Sequence, residues 1–98
     1  MNSFTPAPWA VEVDYPYHDI VANGRLIAET MLDCRTEEDR ANAKLIAASP
    51  ELFLACQRMV AMFWGDYPEK LRQAFRRDYP EHGVCQAEAA ISKAEGKQ

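Results

Sequence analysis

Hydrophobic and polar positions alternate singly in the first third of the chain and recur at helical spacing in the rest, a change of period that predicts strands followed by helices. Trp9, Val11, Val13 and Tyr15 alternate with Ala10, Glu12 and Asp14, which predicts a strand over residues 9–15 closed by Pro16. Ahead of it, Pro6 and Pro8 each lack an N–H and restrict the preceding residue, so residues 1–8 read as an extended arm. Ile20-Val21-Ala22 and Leu26-Ile27-Ala28 flank Asn23-Gly24, a dipeptide that tolerates positive φ at both centres of a tight turn. Strands over 18–22 and 25–31 follow, with Ile20 opposite Ile27 and His18 opposite Glu29.

Helical spacing begins after Thr36-Glu37-Glu38-Asp39, a capping-box pattern in which side-chain oxygens satisfy the first free N–H groups of a helix. Helices are predicted over 37–48, 50–64, 68–78 and 84–94, with Ser49-Pro50 dividing the first two because proline disfavours the helical conformation of the residue before it. Leu52, Phe53, Cys56, Met59, Val60, Phe63 and Trp64 form one broad apolar stripe on the second. The expected fold class is α+β: a three-stranded antiparallel sheet from the N-terminal half packed against three to four helices from the C-terminal half. One domain over 1–98 is expected, with residues 95–98 frayed. Its expected core is Trp9, Val11, Ile27, Leu45, Leu52, Phe53, Cys56, Val60 and Phe75.

Composition places the chain among globular proteins, with 48% hydrophobic and 27% charged residues. No apolar run of spanning-helix length and no basic-then-apolar leader is read, so a cytoplasmic protein without a membrane partner is expected. The net charge of −4 argues against a general nucleic-acid coat, but it is unevenly spread. Residues 1–39 hold eight acids and two bases, whereas residues 40–98 hold seven acids and nine bases. Cys34, Cys56 and Cys85 are odd in number and never in a C-x-x-C pair, which predicts neither a disulfide framework nor a zinc site. No metal and no cofactor are expected, since His18 and His82 are the only imidazoles and lack metal-ligand spacing.

No nucleophile motif, phosphate-binding glycine loop or flanked acid pair is present, so no catalytic residue is assigned and a non-enzymatic role is expected. His82 and Cys85 read as a helix entry followed by a core cysteine, and His18 with Glu29 as an exposed cross-strand pair. Two charged surfaces remain as candidates. The acids Glu12, Asp14, Asp19, Glu37, Glu38 and Asp39 can imitate a phosphate track and occupy a basic partner. Lys70, Arg72, Arg76 and Arg77, interleaved with Tyr67, Phe75 and Tyr79, can track a real phosphate backbone, although Glu69, Asp78 and Glu81 sit among them.

Thr5-Pro-Ala-Pro-Trp9, Asn23-Gly-Arg-Leu-Ile-Ala28 and Asn42-Ala-Lys-Leu-Ile-Ala-Ala-Ser-Pro-Glu-Leu52 resemble blocks of a group of small phage and prophage accessory proteins. The group's pattern runs T-P-x-P-W, G-x-x-I-A, then N-A-x-L-I-A-A-x-P-x-L-L. The resemblance covers about residues 5–60, with Ala7 where the group often has Gly and Phe53-Leu54 where Leu-Leu is usual. It brings no catalytic residues. What it implies is a viral accessory protein acting in a bacterial cytoplasm. Asn42, a polar residue with poor helix propensity, is expected to tie its helix to the sheet or arm.

Together these readings give a phage-encoded protein that binds and inhibits a host bacterial protein, a component of a defence system such as CRISPR, through its acidic surface. The alternative is a nucleic-acid-binding or regulatory module that uses the basic helix. A homo-oligomer is left open.

Overall fold

Three strands precede three helices: β1 (Ala10–Asp14), β2 (Tyr17–Ala22), β3 (Arg25–Thr30), α1 (Glu37–Trp64), α2 (Glu69–Asp78) and α3 (Gly83–Ala94). The computed structural model describes residues 4–30 and 35–97; the readings placed on Met31, Asp33 and Cys34 lie outside the described residues. The α+β class is as expected. The chain groups into two compact units, Met1–Leu52 and Phe53–Gln98, with α1 running from one into the other.

In the first unit the strands form an antiparallel sheet in the order β1-β2-β3. The hairpin turn forms at Asn23 and Gly24, with φ of +53° and +74°, the left-handed pair that a two-residue turn requires. Beyond Val21↔Leu26 the register shifts, so that Ile20 lies opposite Ala28 and His18 opposite Thr30. The expected pairings of Ile20 with Ile27 and His18 with Glu29 are therefore wrong. A β-bulge adds one residue to β3, and no local sequence rule announces it.

Ile20, Ala43 and Ala47 are buried together, with Trp9, Val11, Ile27, Ala28 and Ile46 packed around them. Two alanines in the first part of α1 let the helix approach the sheet closely where larger side chains would hold it away. The arm folds back on its own tryptophan, whose Nε1 donates to the Thr5 carbonyl at 2.9 Å. Val13 and Tyr15, read as inward-facing, are exposed; β1 is an edge strand that ends at Asp14. Asn42 is also exposed and does not make the expected tie; the buried face of α1 runs through Asp39, Ala43, Ala47 and Pro50 instead.

Pro50 does not stop the helix, and the two helices read over 37–48 and 50–64 are one. A proline at this position removes the N–H that would bond the Ile46 carbonyl. The Ser49 hydroxyl supplies the missing donor, bonding that same carbonyl at 2.7 Å. The correction changes two further readings. As one helix, α1 is long enough, and over its most apolar 18-residue stretch, of mean hydropathy 1.2, apolar enough to cross a membrane by length and composition, a run that division at Pro50 interrupts. Its burial also differs from the stripe: Leu45 and Leu52, read as core, are 63% and 50% exposed, and Met59 is 70% exposed.

The second unit is built on aromatic edges. Phe63, Trp64, Phe75 and His82 meet at ring-centroid distances of 5.0–5.5 Å, and Tyr79 adds a further contact to Phe75 at 5.0 Å. Such edge and tilted contacts bring the positive ring edge to a negative ring face. Trp64 and Val84 are buried, while Phe53, Cys56, Val60 and Phe75 are half-buried. Gly65 follows α1 at φ +50°, a left-handed helix end. The His82 ring caps α3, its Nδ1 accepting from Val84 N at 3.1 Å.

Candidate functional site

Period-2 alternation sends His18 and Thr30 to the helix side of the sheet and Asp19 and Glu29 to the other. On the inner side His18 is 3% exposed and Asp39 fully buried. His18 Nδ1 lies 2.5 Å from Asp39 Oδ2, and the Thr30 hydroxyl donates to the same oxygen at 2.9 Å. Asp39 N donates in turn to Thr36 Oγ1 at 3.1 Å, the backbone half of the expected capping box. Asp39 was read as part of an acidic surface; it is an interior group that joins α1 to β2 and β3. The helix start demands an acid at its third position, and the buried imidazole and hydroxyl draw that acid inward.

Carboxylate, imidazole and hydroxyl are the members of a nucleophilic triad, but they are connected in another order. In a relay the hydroxyl bonds the imidazole and the carboxylate orients the ring from behind. Here the hydroxyl and the imidazole both bond the carboxylate, which joins three elements and presents no activated nucleophile.

The outer side of the sheet carries acids in a row. Glu12, Asp19 and Glu29 are directly opposite one another on β1, β2 and β3. Asp14, Asp19 and Glu29 bring carboxylate oxygens within 4.8 Å of one another, an arrangement with the dimensions to hold a cation. Asp19 Oδ1 is buried without a hydrogen-bond partner. Glu29 holds its proton more tightly than an ordinary glutamate, first through the hydrogen bond it shares with Asp19, then through desolvation and the charges of Asp19 and Asp14. Val21 and Leu26 adjoin the row on the same face. Glu37 and Glu38 are exposed at the start of α1. Glu29 was missed as a member of this cluster because its partner depends on the bulge.

The basic candidates of α2 are largely engaged within the second unit. Arg76 forms a two-pronged pair with Glu88, Nε to Oε1 at 3.0 Å and Nη2 to Oε2 at 2.9 Å, and reaches Glu69 at 3.2 Å. Glu88 also accepts from Trp64 Nε1 at 3.1 Å. These donors hold the Glu88 carboxyl below its usual range, Arg76 contributing most. Arg72 donates to the Tyr67 carbonyl at 2.8 Å, and Arg77 to Asp78 at 3.0 Å. The guanidinium carbons of Arg72 and Arg76 lie 5.9 and 5.2 Å from the Trp64 ring centre, within cation–π range. Lys70 is exposed on the same helix. Beside this node an open groove of about 520 Å³ is lined by Val60, Trp64, Arg72, Glu88, Ile91 and Ser92, with Gln57, Ala61 and Gly65. Glu88 and Trp64 carried no sequence signal as a pair, being 24 residues apart.

A sheet with acids outward and a buried polar junction inward, followed by an aromatic helical unit, defines a small α+β protein. Residues 1–98 match the family model of Salmonella phage P22 protein Y8K6, and the chain belongs to that family. It is a small phage- or prophage-type protein, and the match extends beyond residues 5–60 to the last third of the chain. No curated protein and no solved structure matches it.

Proposed function

We propose that this phage protein acts without catalysis, by binding and inhibiting a host bacterial protein in the cytoplasm, with the acidic outer face of its sheet as the contact. One observation carries the reading: Asp14, Asp19 and Glu29 bring their carboxylate oxygens within 4.8 Å of one another, close enough that the Glu29 carboxyl is held above its ordinary pKa. Like charges held this close destabilise the free protein, and a basic surface placed over them relieves the repulsion on binding. Adjacent strands set successive acids about 4.8 Å apart, a dense negative track that competes for a groove built to hold nucleic acid. The target class is therefore a nucleic-acid-handling component of a host defence system, with CRISPR effectors among them. Glu37 and Glu38, exposed at the start of α1, are a second group of acids for the same partner, and Asp39 does not take part.

The nucleic-acid-binding alternative has less support, because Arg72, Arg76 and Arg77 already donate to groups of their own unit. The test is capture from host lysate on the immobilised full chain, followed by nucleic-acid binding of the captured protein. Wild type is expected to retain one stoichiometric partner and to block its nucleic-acid binding. The variant carrying Glu12→Lys and Glu29→Lys, both exposed, loses the partner, and Arg76→Glu keeps it. Saturable binding of labelled nucleic acid to the wild type itself, abolished by Arg76→Glu, overturns the proposal.

A further inference from the structure

Helix α1 has two apolar faces, and the elements of its own chain cover one of them. Ala43, Ala47, Pro50 and Trp64 are buried. On the opposite side Leu45, Ala48, Leu52, Ala55, Met59 and Met62 follow one another at spacings of three and four residues, the a/d repeat of a helix that packs along another helix. Five of the six are exposed and Ala48 is half-buried; Met62 reaches 82%. Lys44, Glu51 and Arg58 stand one residue before Leu45, Leu52 and Met59, all exposed along one edge of the stripe. The stripe is a property of α1 alone and shares no residue with the acidic row on the strands.

We propose that this stripe pairs antiparallel with the same stripe of a second copy of the chain. In that arrangement Leu45 packs against Met62 of the second copy, Ala48 against Met59, and Leu52 against Ala55, with the same three layers repeated by symmetry. Two of the three layers then join a large residue to an alanine, as close packing of two helices requires. Charge selects the same alignment, because the edge position Glu51 falls beside Arg58 of the second copy, twice per dimer. A parallel pairing places Glu51 beside Cys56 and forms no ion pair. A lipid bilayer is a poorer occupant, since Lys44, Glu51 and Arg58 flank the stripe and Ala43 and Ala47 on the opposite side of α1 are already packed with Ile20 of the sheet. Residues 45–62 provide about 27 Å of helix, enough for a reversible dimer.

Sedimentation of the full chain from ~1 to ~100 µM is the test, with flotation on anionic lipid vesicles in parallel. The mass is expected to rise with concentration from 11.1 kDa toward twice that value. Leu52→Glu, at a position half exposed in the monomer, abolishes the rise while leaving the helical circular dichroism unchanged. Glu51→Arg weakens association by about tenfold by setting like charges together, and adding Arg58→Glu restores it. A constant 11.1 kDa mass, or a dimer indifferent to Leu52→Glu, overturns the proposal. Stripe-dependent flotation without dimerisation assigns the face to lipid and overturns it too. A dimer that Leu52→Glu abolishes but the charge exchange does not restore overturns the antiparallel alignment.

Discussion

The two units solve the same problem with different chemistry. The first has few large buried side chains, Ile20 among alanines, and it places a fully buried carboxylate where its sheet meets the first part of α1. Among the described residues the second buries no carboxylate: it layers aromatic rings and keeps its charged node, Arg76 with Glu88, partly exposed beside the buried Trp64. An interior polar junction is directional. It stabilises one arrangement strongly and penalises any other, because an unmatched buried charge is costly. Ring packing is less selective, and a surface ion pair contributes only modestly. The first unit therefore depends on a few exact partners, and the second on accumulated contact.

Removing Asp39 gives the largest expected effect. Asp39→Ala leaves His18 and Thr30 buried without their shared acceptor and is expected to cost about 3 kcal/mol, read as loss of cooperative unfolding by urea. A cost under about 1 kcal/mol would erase the contrast drawn between the units. Acid sharpens the same contrast, because the two units carry glutamates shifted in opposite directions. Glu88 has a lowered pKa in the folded protein, so its contribution is present above the ordinary glutamate value and is lost as pH falls through the folded value. Glu29 has a raised pKa; its repulsion destabilises at neutral pH and is relieved as pH falls through the folded value toward the ordinary one. Amide hydrogen exchange around Trp64 and α3 is thus expected to rise on acidification, and Glu88→Gln removes the acid sensitivity of the second unit at a cost of about 1 to 2 kcal/mol. The smallest effect is at the helix that serves both units: Ser49→Ala leaves the Ile46 carbonyl without its hydroxyl donor and is expected to cost about 1 kcal/mol, with exchange increased in the turn around Pro50.

The sequence rules succeeded where structure is local. Asn23-Gly24 identified the hairpin, Thr36 the helix start, and Tyr67-Pro68 and His82-Gly83 the limits of α2 and α3, because each signal lies within a few residues of its effect. They failed where a partner lies elsewhere or a neighbour compensates. Pro50 was read as a stop because the rule counts the lost N–H and not the Ser49 hydroxyl that replaces it. The stripe on α1 was read as one core face because Leu52 and Phe53 are equally apolar; only the position of the sheet and the helices decides which of them turns inward. Of the candidate acids, Glu12, Asp14 and Asp19 do share a sheet face: alternation along β1 puts Glu12 with Asp14, and the pairing of β1 with β2 adds Asp19. Glu29 and the inward turn of Asp39 needed the register.

That register rests on the single extra residue of β3. With the regular pairing, His18 would face Glu29 and the hairpin would bring a second carboxylate to the place where Asp39 arrives from α1. The bulge substitutes the Thr30 hydroxyl, a donor, for that acid. A strand slipped by one position would thus confront Asp39 with a like charge in a dry interior, a penalty of several kcal/mol. The bulge makes the helix a proofreader of the hairpin: α1 can dock only on the one alignment of β2 and β3 that offers its carboxylate two donors.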